Sequence, residues 1–374
     1  MKSKNIGIVT WYKAENFGTN LQAYALYKFF VEMGYNCCLV NEFTYAHFGL
    51  KYKILNVLHV LGLQSVIKKY CGKAKIRERL KRAVDFFDSN VKIRYVYNND
   101  SYIKLLRDVD TFVSGSDQIW NPNYLVPFYL LDFAGDNKRI AYSSSLGVSS
   151  INEEQKGIMI PLLQKFDALG IREQTGADLV NSLIDSNSAI QVVDPTLLLS
   201  KESWYSLAET STLAISGEYV FCYMIGDRLE YAKEIADVVT KSEYKKVCVV
   251  RSSENPKFSL MIDNVEVVYM PSNGIEDFLF LLCHSALVCT DSFHATVICM
   301  KFQKQFVEFM RFASDDPKSQ NSRIIDILYA YEVFSQIYND KWQSIPVIDY
   351  EVVNDKILKD IKKSEQFLKN ALNL

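Results

Sequence analysis

Short β-prone runs that end in polar turns and lead into helix-patterned stretches recur along this chain, and that order leaves few folds open. Ile6 to Tyr12 reads as a strand, Lys13 to Thr19 as a polar loop, and Asn20 to Met33 as a helix closed by Gly34 at its C′ position. Tyr35 to Phe43 reads as the second strand of a βαβ unit. Further strands are expected at Thr111 to Ser114, Arg139 to Ser143 and Ala168 to Arg172, each ending in polar or charged residues. Such a series predicts a parallel sheet with a functional rim where the strands end.

Gln191 to Thr196 reads as a last short strand stopped by Pro195, and the polar stretch Glu209 to Gly217 as a linker. A second series follows: strand Tyr219 to Tyr223, helix Arg228 to Thr240, strands Lys246 to Val250 and Val265 to Tyr269, helix Ile275 to His284, strand Leu287 to Thr290. At 374 residues the chain exceeds one ordinary core. The expected division is 1–208, 209–350 and a C-terminal helical segment 351–374. Ile357, Leu358, Ile361, Phe367, Leu368, Ala371 and Leu372 fall at helical spacing there, so this helix either folds back across the first domain or closes the second.

Residues about 44–100 break the rhythm and are expected to form a helical insertion in the first domain. From Lys51 to Arg94 there are twelve Lys or Arg against three acids, beside the apolar Leu55, Leu58, Leu61, Leu63, Val66 and Ile67. Two readings stay open for 51–94, a solvated helical face and peripheral contact with anionic lipid. Nucleic acid is not expected, because no docking motif accompanies the charge and the net charge of the chain is −2. No secretory leader or membrane-spanning run is seen, so a cytoplasmic location is expected, with the inner face of the membrane as the refinement that 51–94 suggests. The eight cysteines show no metal-ligand spacing and read as small buried hydrophobes. No metal is expected.

Three turns carry the chemistry. Thr290-Asp-Ser-Phe-His294 joins a strand to the helical run Ala295 to Met300; His294 is a candidate acid and base, while Asp291 and Ser292 suit both helix capping and an anion site. Asn16-Phe-Gly-Thr-Asn20 offers amides and backbone N–H groups through Asn16, Gly18 and Asn20, without the spacing of a dinucleotide fingerprint. Ser114-Gly-Ser-Asp-Gln-Ile-Trp-Asn-Pro122 presents Ser116, Asp117, Gln118 and Trp120, a mixture that suits sugar hydroxyls and pyranose faces; a polar turn with Trp120 in the core is the alternative. Arg172 at a strand end and Arg323 before the helical run Ile324 to Tyr331 suit carboxylate and phosphate oxygens, with Arg251 and Arg311 as weaker candidates.

Taken together, Asn16-Phe-Gly-Thr-Asn-Leu-Gln-Ala-Tyr-Ala25, Gly115-Ser-Asp-Gln-Ile-Trp-Asn-Pro122, Ile171-Arg-Glu173, Val193-Asp-Pro-Thr196, Thr290-Asp-Ser-Phe-His294 and Asn321-Ser-Arg323 resemble the polysaccharide pyruvyl transferase family. The resemblance implies an α/β fold of two Rossmann-like domains facing across a cleft, similar to GT-B glycosyltransferases, with acceptor on the first domain and donor on the second. It implies pyruvyl transfer from phosphoenolpyruvate, a co-substrate with no further cofactor, to two hydroxyls of a sugar or lipid-linked oligosaccharide. The product would be a cyclic ketal on a bacterial surface or capsular glycan. Arg172 and His294 match positions where members carry donor-binding or catalytic residues. Members often have an arginine two residues before the histidine, where this chain has Ser292; Arg323 or another cation would then supply the charge, or the donor is handled differently. A nucleotide-sugar glycosyltransferase is the alternative, opposed by Ala295 to Lys301, which lacks an acidic pair for a ribose. A non-catalytic glycan-binding relative is the other.

Overall fold

The computed structural model describes residues 5–43, 78–253, 255–270, 273–312 and 321–373. The first half contains β1 (Asn5–Val9), α1 (Phe17–Glu32), β2 (Asn36–Val40), α2 (Glu78–Asn90), β3 (Ile93–Arg94), α3 (Asn99–Asp108), β4 (Thr111–Ser114), β5 (Lys138–Ser144), α4 (Glu153–Leu163), β6 (Ala168–Ile171), α5 (Gln174–Ile184) and β7 (Ala189–Gln191). Helices α6 (Pro195–Leu198) and α7 (Lys201–Ala208) lead to the second half. That half has β8 (Val220–Met224), α8 (Tyr231–Ser242), β9 (Lys246–Arg251), β10 (Glu266–Tyr269), α9 (Ile275–His284), β11 (Leu287–Thr290), α10 (Phe293–Phe302), β12 (Phe306–Glu308), α11 (Ser322–Ala330) and α12 (Tyr350–Leu372).

Two sheets result, ordered β3-β2-β1-β4-β5-β6-β7 and β10-β9-β8-β11-β12, with every recorded pairing parallel. Strands β4, β8 and β11 are buried at every position, which is why they read as continuous apolar runs. Val9 pairs in register with Ser114, and Tyr223 with Thr290, so the loops leaving β1 and β4 emerge side by side, as do those leaving β8 and β11.

Two expectations need correcting. The first sheet ends at Gln191, and Pro195 opens α6 instead of stopping a strand. Asp194 caps that helix by accepting from Thr196 N at 3.0 Å, and proline's fixed φ suits a first helical turn. Arg323 lies inside the first turn of α11, not before it. Strands β3 and β12, of two and three residues, are too short to leave a period in the sequence.

One apolar core runs between the sheets. Phe17 of α1 stacks on Phe278 of α9 with ring centroids 4.5 Å apart, and Tyr223 meets both rings edge-on. Helix α12 settles the alternative left open above by crossing back. Its Tyr350 hydroxyl donates to the Lys304 carbonyl in the second half, Ser364 Oγ accepts from Val193 N at 3.0 Å, and Phe367 packs on Gly170 of β6.

The expected insertion falls largely on 44–77, outside the described residues, together with most of the basic run. At its described end, Arg82 pairs with Glu276 and Asp277 of α9, Arg94 pairs with Asp108, and Arg79 lies 4.8 Å from the Phe17 ring centre. These three cations engage the protein itself. No helix among the described residues is long and apolar enough to cross a membrane.

Candidate active site

Strands β1 and β4 are neighbours whose chains continue to opposite sides of their sheet, and β8 and β11 repeat the arrangement in the second. A crevice forms at the carboxyl ends of such strands. In the first sheet it is held by side chains that join the two loops. Thr10 Oγ1 donates to the Ser116 carbonyl at 2.9 Å, Gln22 Oε1 accepts from Ser116 N at 3.1 Å, and Thr19 Oγ1 donates to Asp117 Oδ2 at 2.8 Å. Asn16 caps α1 by accepting from Gly18 N at 2.9 Å. In the second sheet Asp291 does the joining: its Oδ1 accepts from Ile225 N at 2.6 Å, and its Oδ2 from Gly226 N at 2.7 Å and the Tyr231 hydroxyl at 2.8 Å.

The crevices face each other across a cavity of about 1120 Å³. Trp11, Asn16, Thr19, Asp117, Gln118 and Tyr124 line the first-sheet wall; Ile225 to Arg228, Glu230, Ser292 to His294, Arg311, Phe312 and Arg323 line the second. The walls differ in chemistry. The first offers amides, a carboxylate and two aromatic rings, Trp11 and Tyr124, with centroids 5.6 Å apart. The second offers His294 and the guanidinium groups of Arg228, Arg311 and Arg323 beside the start of α10, whose N-terminus adds partial positive charge. Burial, and then the neighbouring Arg172 guanidinium, push Arg323 down to about 10, which leaves it protonated at neutrality.

Beneath this cavity lies a buried charged cluster. Asp194 Oδ2 is 3.4 Å from His294 Nε2, accepts from Ser116 Oγ at 3.1 Å, and receives Arg172 Nη1 at 3.5 Å. Its Oδ1 accepts from Thr196 N and from Thr196 Oγ1 at 2.7 Å. Burial pushes the Asp194 carboxyl up, but the charges of His294 and then Arg172 outweigh it and hold it below the usual carboxylate range. Arg172 also donates through Nε to Glu173 at 2.9 Å and stacks over Phe293 at 4.3 Å. It lines not the main cavity but a smaller one of about 40 Å³, which shares Phe293 and Arg323 with it.

The structure therefore sorts the residues named from sequence. His294, Ser292, Arg323, Asn16, Asp117 and Gln118 line the cavity, and Arg172 stands behind it. Gly18 lies against the imidazole of His294. Four positions are corrected as direct ligands. Trp120 is sealed in the core with its indole N–H donating to the Tyr129 carbonyl at 2.9 Å, so its ring is closed to a pyranose. Asn20 spends both ends of its amide on the Ala14 backbone, at 2.7 and 3.0 Å. Ser116 is buried, its one hydroxyl hydrogen shared between the Ser143 carbonyl at 2.9 Å and Asp194 Oδ2 at 3.1 Å. Asp291 is buried, saturated by its donors, and of the wrong sign for an anion. Ser292 caps α10 by accepting from Ala295 N at 3.5 Å while still lining the cavity. Sequence reading passed over Trp11, Thr19, Tyr124, Arg228 and the role of Asp194; it ran the expected strands through Trp11 and Asp194, which in fact lie just beyond the strand ends at Val9 and Gln191.

Facing switch points in two parallel sheets define a GT-B-like, two-domain α/β protein. The same fold is found in a glycosyltransferase from Rickettsia africae, at 9% identity over 100% of this chain and 99% of that one with a TM-score of 0.51. It is found also in a UDP-GlcNAc 2-epimerase from Neisseria meningitidis bound to UDP-GlcNAc, at 10% identity over 98% and 94% with a TM-score of 0.50. No curated protein matches the chain in sequence. The family model "Polysaccharide pyruvyl transferase" matches residues 16–310, and the chain belongs to that family.

Proposed function

We propose that the protein transfers a pyruvyl group from phosphoenolpyruvate to two hydroxyls of a sugar, in a surface or capsular polysaccharide precursor, forming a cyclic ketal. The observation that carries this reading is the division of one cavity into a charged wall, where His294, Arg311 and Arg323 stand with Asp227 and an Arg228–Glu230 pair, and a wall bearing Trp11 and Tyr124. A small enol phosphate with a carboxylate suits guanidinium forks and a helix N-terminus. A pyranose suits aromatic faces flanked by Asp117, Gln118 and Asn16. The volume of about 1120 Å³ leaves room for both substrates together.

The chemistry then balances as follows. The methylene carbon of the donor gains a proton, the oxocarbenium-like carbon takes one hydroxyl oxygen and then the second, and the bond to the phosphate oxygen breaks. One hydroxyl proton replaces the proton given to carbon, and the other leaves with phosphate. His294 is the acid and base; Arg311 and Arg323 hold carboxylate and phosphate; the two crevices bring donor and acceptor into reaction distance. Arg172 acts through Asp194 and Phe293.

Thermal unfolding in the presence of phosphoenolpyruvate tests the donor. Saturation to a hundredfold over Kd is expected to stabilise the protein by about 2.7 kcal/mol, and Arg323→Gln to abolish most of that gain. Protection by a UDP- or GDP-sugar with none from phosphoenolpyruvate would replace this reading with a nucleotide-sugar transferase.

A further inference from the structure

We infer that His294 exchanges its proton through Nδ1, with Asp194 as the positioning residue that keeps hydrogen on Nε2 and Gly18 as the residue whose missing side chain lets the ring keep that position. The role of the exchanged proton rests on the pyruvyl-transfer reading; the assignment of the two nitrogens does not.

The argument begins with the ring. A neutral imidazole has hydrogen on one nitrogen and a lone pair on the other, and its neighbours decide which. Nε2 is sealed from solvent without a formed hydrogen bond, and Asp194 Oδ2 lies 3.4 Å from it. An ionised carboxylate only accepts, so a lone pair on Nε2 would set two acceptors against each other in a buried site; a hydrogen there gives the pair a bond. Asp194 cannot swing away. Both its oxygens receive donors, from Thr196 on one side and from Ser116 and Arg172 on the other, so the ring must adapt to the carboxylate. The contact is longer than a well-formed hydrogen bond, as catalytic contacts often are before substrate binds.

Gly18 supplies the second, independent observation. It stands in the first turn of α1 with ordinary helical backbone, where glycine costs up to about 1 kcal/mol relative to alanine and nothing conformational requires it. A Cβ at this position would lie 2.3 Å from Nδ1 and 2.8 Å from Cγ of His294. Glycine therefore lets the start of α1 lie directly against the Nδ1 edge of the ring, where any Cβ would push the imidazole aside. In the proposed reaction the imidazolium gives its Nδ1 proton to the methylene carbon, and Nδ1 then takes the proton of the first hydroxyl as its oxygen bonds to the adjacent carbon. The other hydrogen stays on Nε2, directed at the Asp194 carboxylate, throughout.

The test is a long-range proton–nitrogen spectrum of protein carrying ¹⁵N-labelled histidine, recorded above the histidine titration and assigned with His294→Asn. A pyrrole-type Nε2 and a pyridine-type Nδ1 are expected for His294 in the wild type. The reverse tautomer, or a mixture, would overturn the assignment without reference to activity. Asp194→Asn, whose amide both donates and accepts, is expected to mix the tautomers. Gly18→Ala is expected to fold and, by pushing the imidazole off its place beside Asp194, to lose about 100-fold in kcat; unchanged kcat would overturn the role of Gly18. A fixed Nε2–H tautomer in a protein that transfers no pyruvyl group would leave the assignment standing and remove the reaction.

Discussion

Arg311 grips Asp291 twice, donating from Nη2 to its carbonyl at 3.1 Å and placing Nε 3.4 Å from its carboxylate. Asp291 is itself locked to the loop after β8, so the guanidinium is held rigidly at the cavity wall, one residue away from the neutral Ser292. In this chain a cation from beyond β12 stands where the resemblance leads one to look for an arginine at 292. Arg311→Gln is expected to weaken phosphoenolpyruvate binding by about 10- to 100-fold, the range for losing a charge-assisted hydrogen bond. Calorimetric titration measures it, and an unchanged Kd would remove Arg311 from the donor site.

The aromatic wall makes a separate claim about the acceptor. Trp11 lies 5.6 Å from Tyr124 and 6.0 Å edge-on from Tyr129, which braces its ring at the cavity. Trp11→Ala and Tyr124→Ala should each raise the acceptor KM by about tenfold, the worth of a stacked face, while leaving the donor Kd in place. Equal loss of donor affinity would show that the ring supports the wall and not the sugar.

Trp120 should behave in the opposite way. Its indole fills the core behind β4, meeting Phe166 edge-on, and donates to the Tyr129 carbonyl and Ser114 Oγ. Trp120→Ala is expected to cost about 3–5 kcal/mol in denaturant unfolding, as large core truncations do. Both substrate affinities should persist in whatever fraction stays folded. A selective rise in acceptor KM with stability intact would return Trp120 to the site.

Lys301 of α10 gives a pH signature. Its Nζ donates to the Leu197 carbonyl of α6 at 2.7 Å, and burial pushes it down from 10.5 to about 8. The unfolded chain therefore holds more protons than the folded one between those values, and this group's penalty, full below about pH 8, fades as pH rises toward 10.5. Lys301→Met should be the more stable protein at pH 7, by at most about 3 kcal/mol less the lost hydrogen bond, with the advantage shrinking by pH 9.5. Denaturant midpoints at the two pH values check it. A difference independent of pH would show that the lysine titrates normally.

How much was legible follows from the range of each interaction. Strands β4 and β11 and helix α9 were read at their observed boundaries because burial on both faces, or a helical apolar stripe, is written locally in residues 111–114, 287–290 and 275–284. The turn at His294 was legible for the same reason: a polar run between a buried strand and a buried helix has few structural uses. Trp120 misled because an indole beside amides has the same sequence signature whether it faces a sugar or the core. Only the loop geometry after β4, which turns Tyr124 outward and Trp120 inward, separates the two.

Most strands and helices, the parallel character of the sheets and the identity of the polar turns were legible in the sequence, since these depend on neighbours within a dozen residues, whereas the short β3 and β12 were not. Tertiary structure alone decided which turns meet. Asp194 and His294 come from opposite sheets, Arg311 reaches back to Asp291 across β12, and α12 returns to the first sheet through Ser364 and Phe367. The pairings between halves are set by the packing of the two sheets around the Phe17–Phe278 core, while Arg311 meets Asp291 within the second half. Contact between residues a hundred positions apart depends on that shared core, and no local periodicity encodes it.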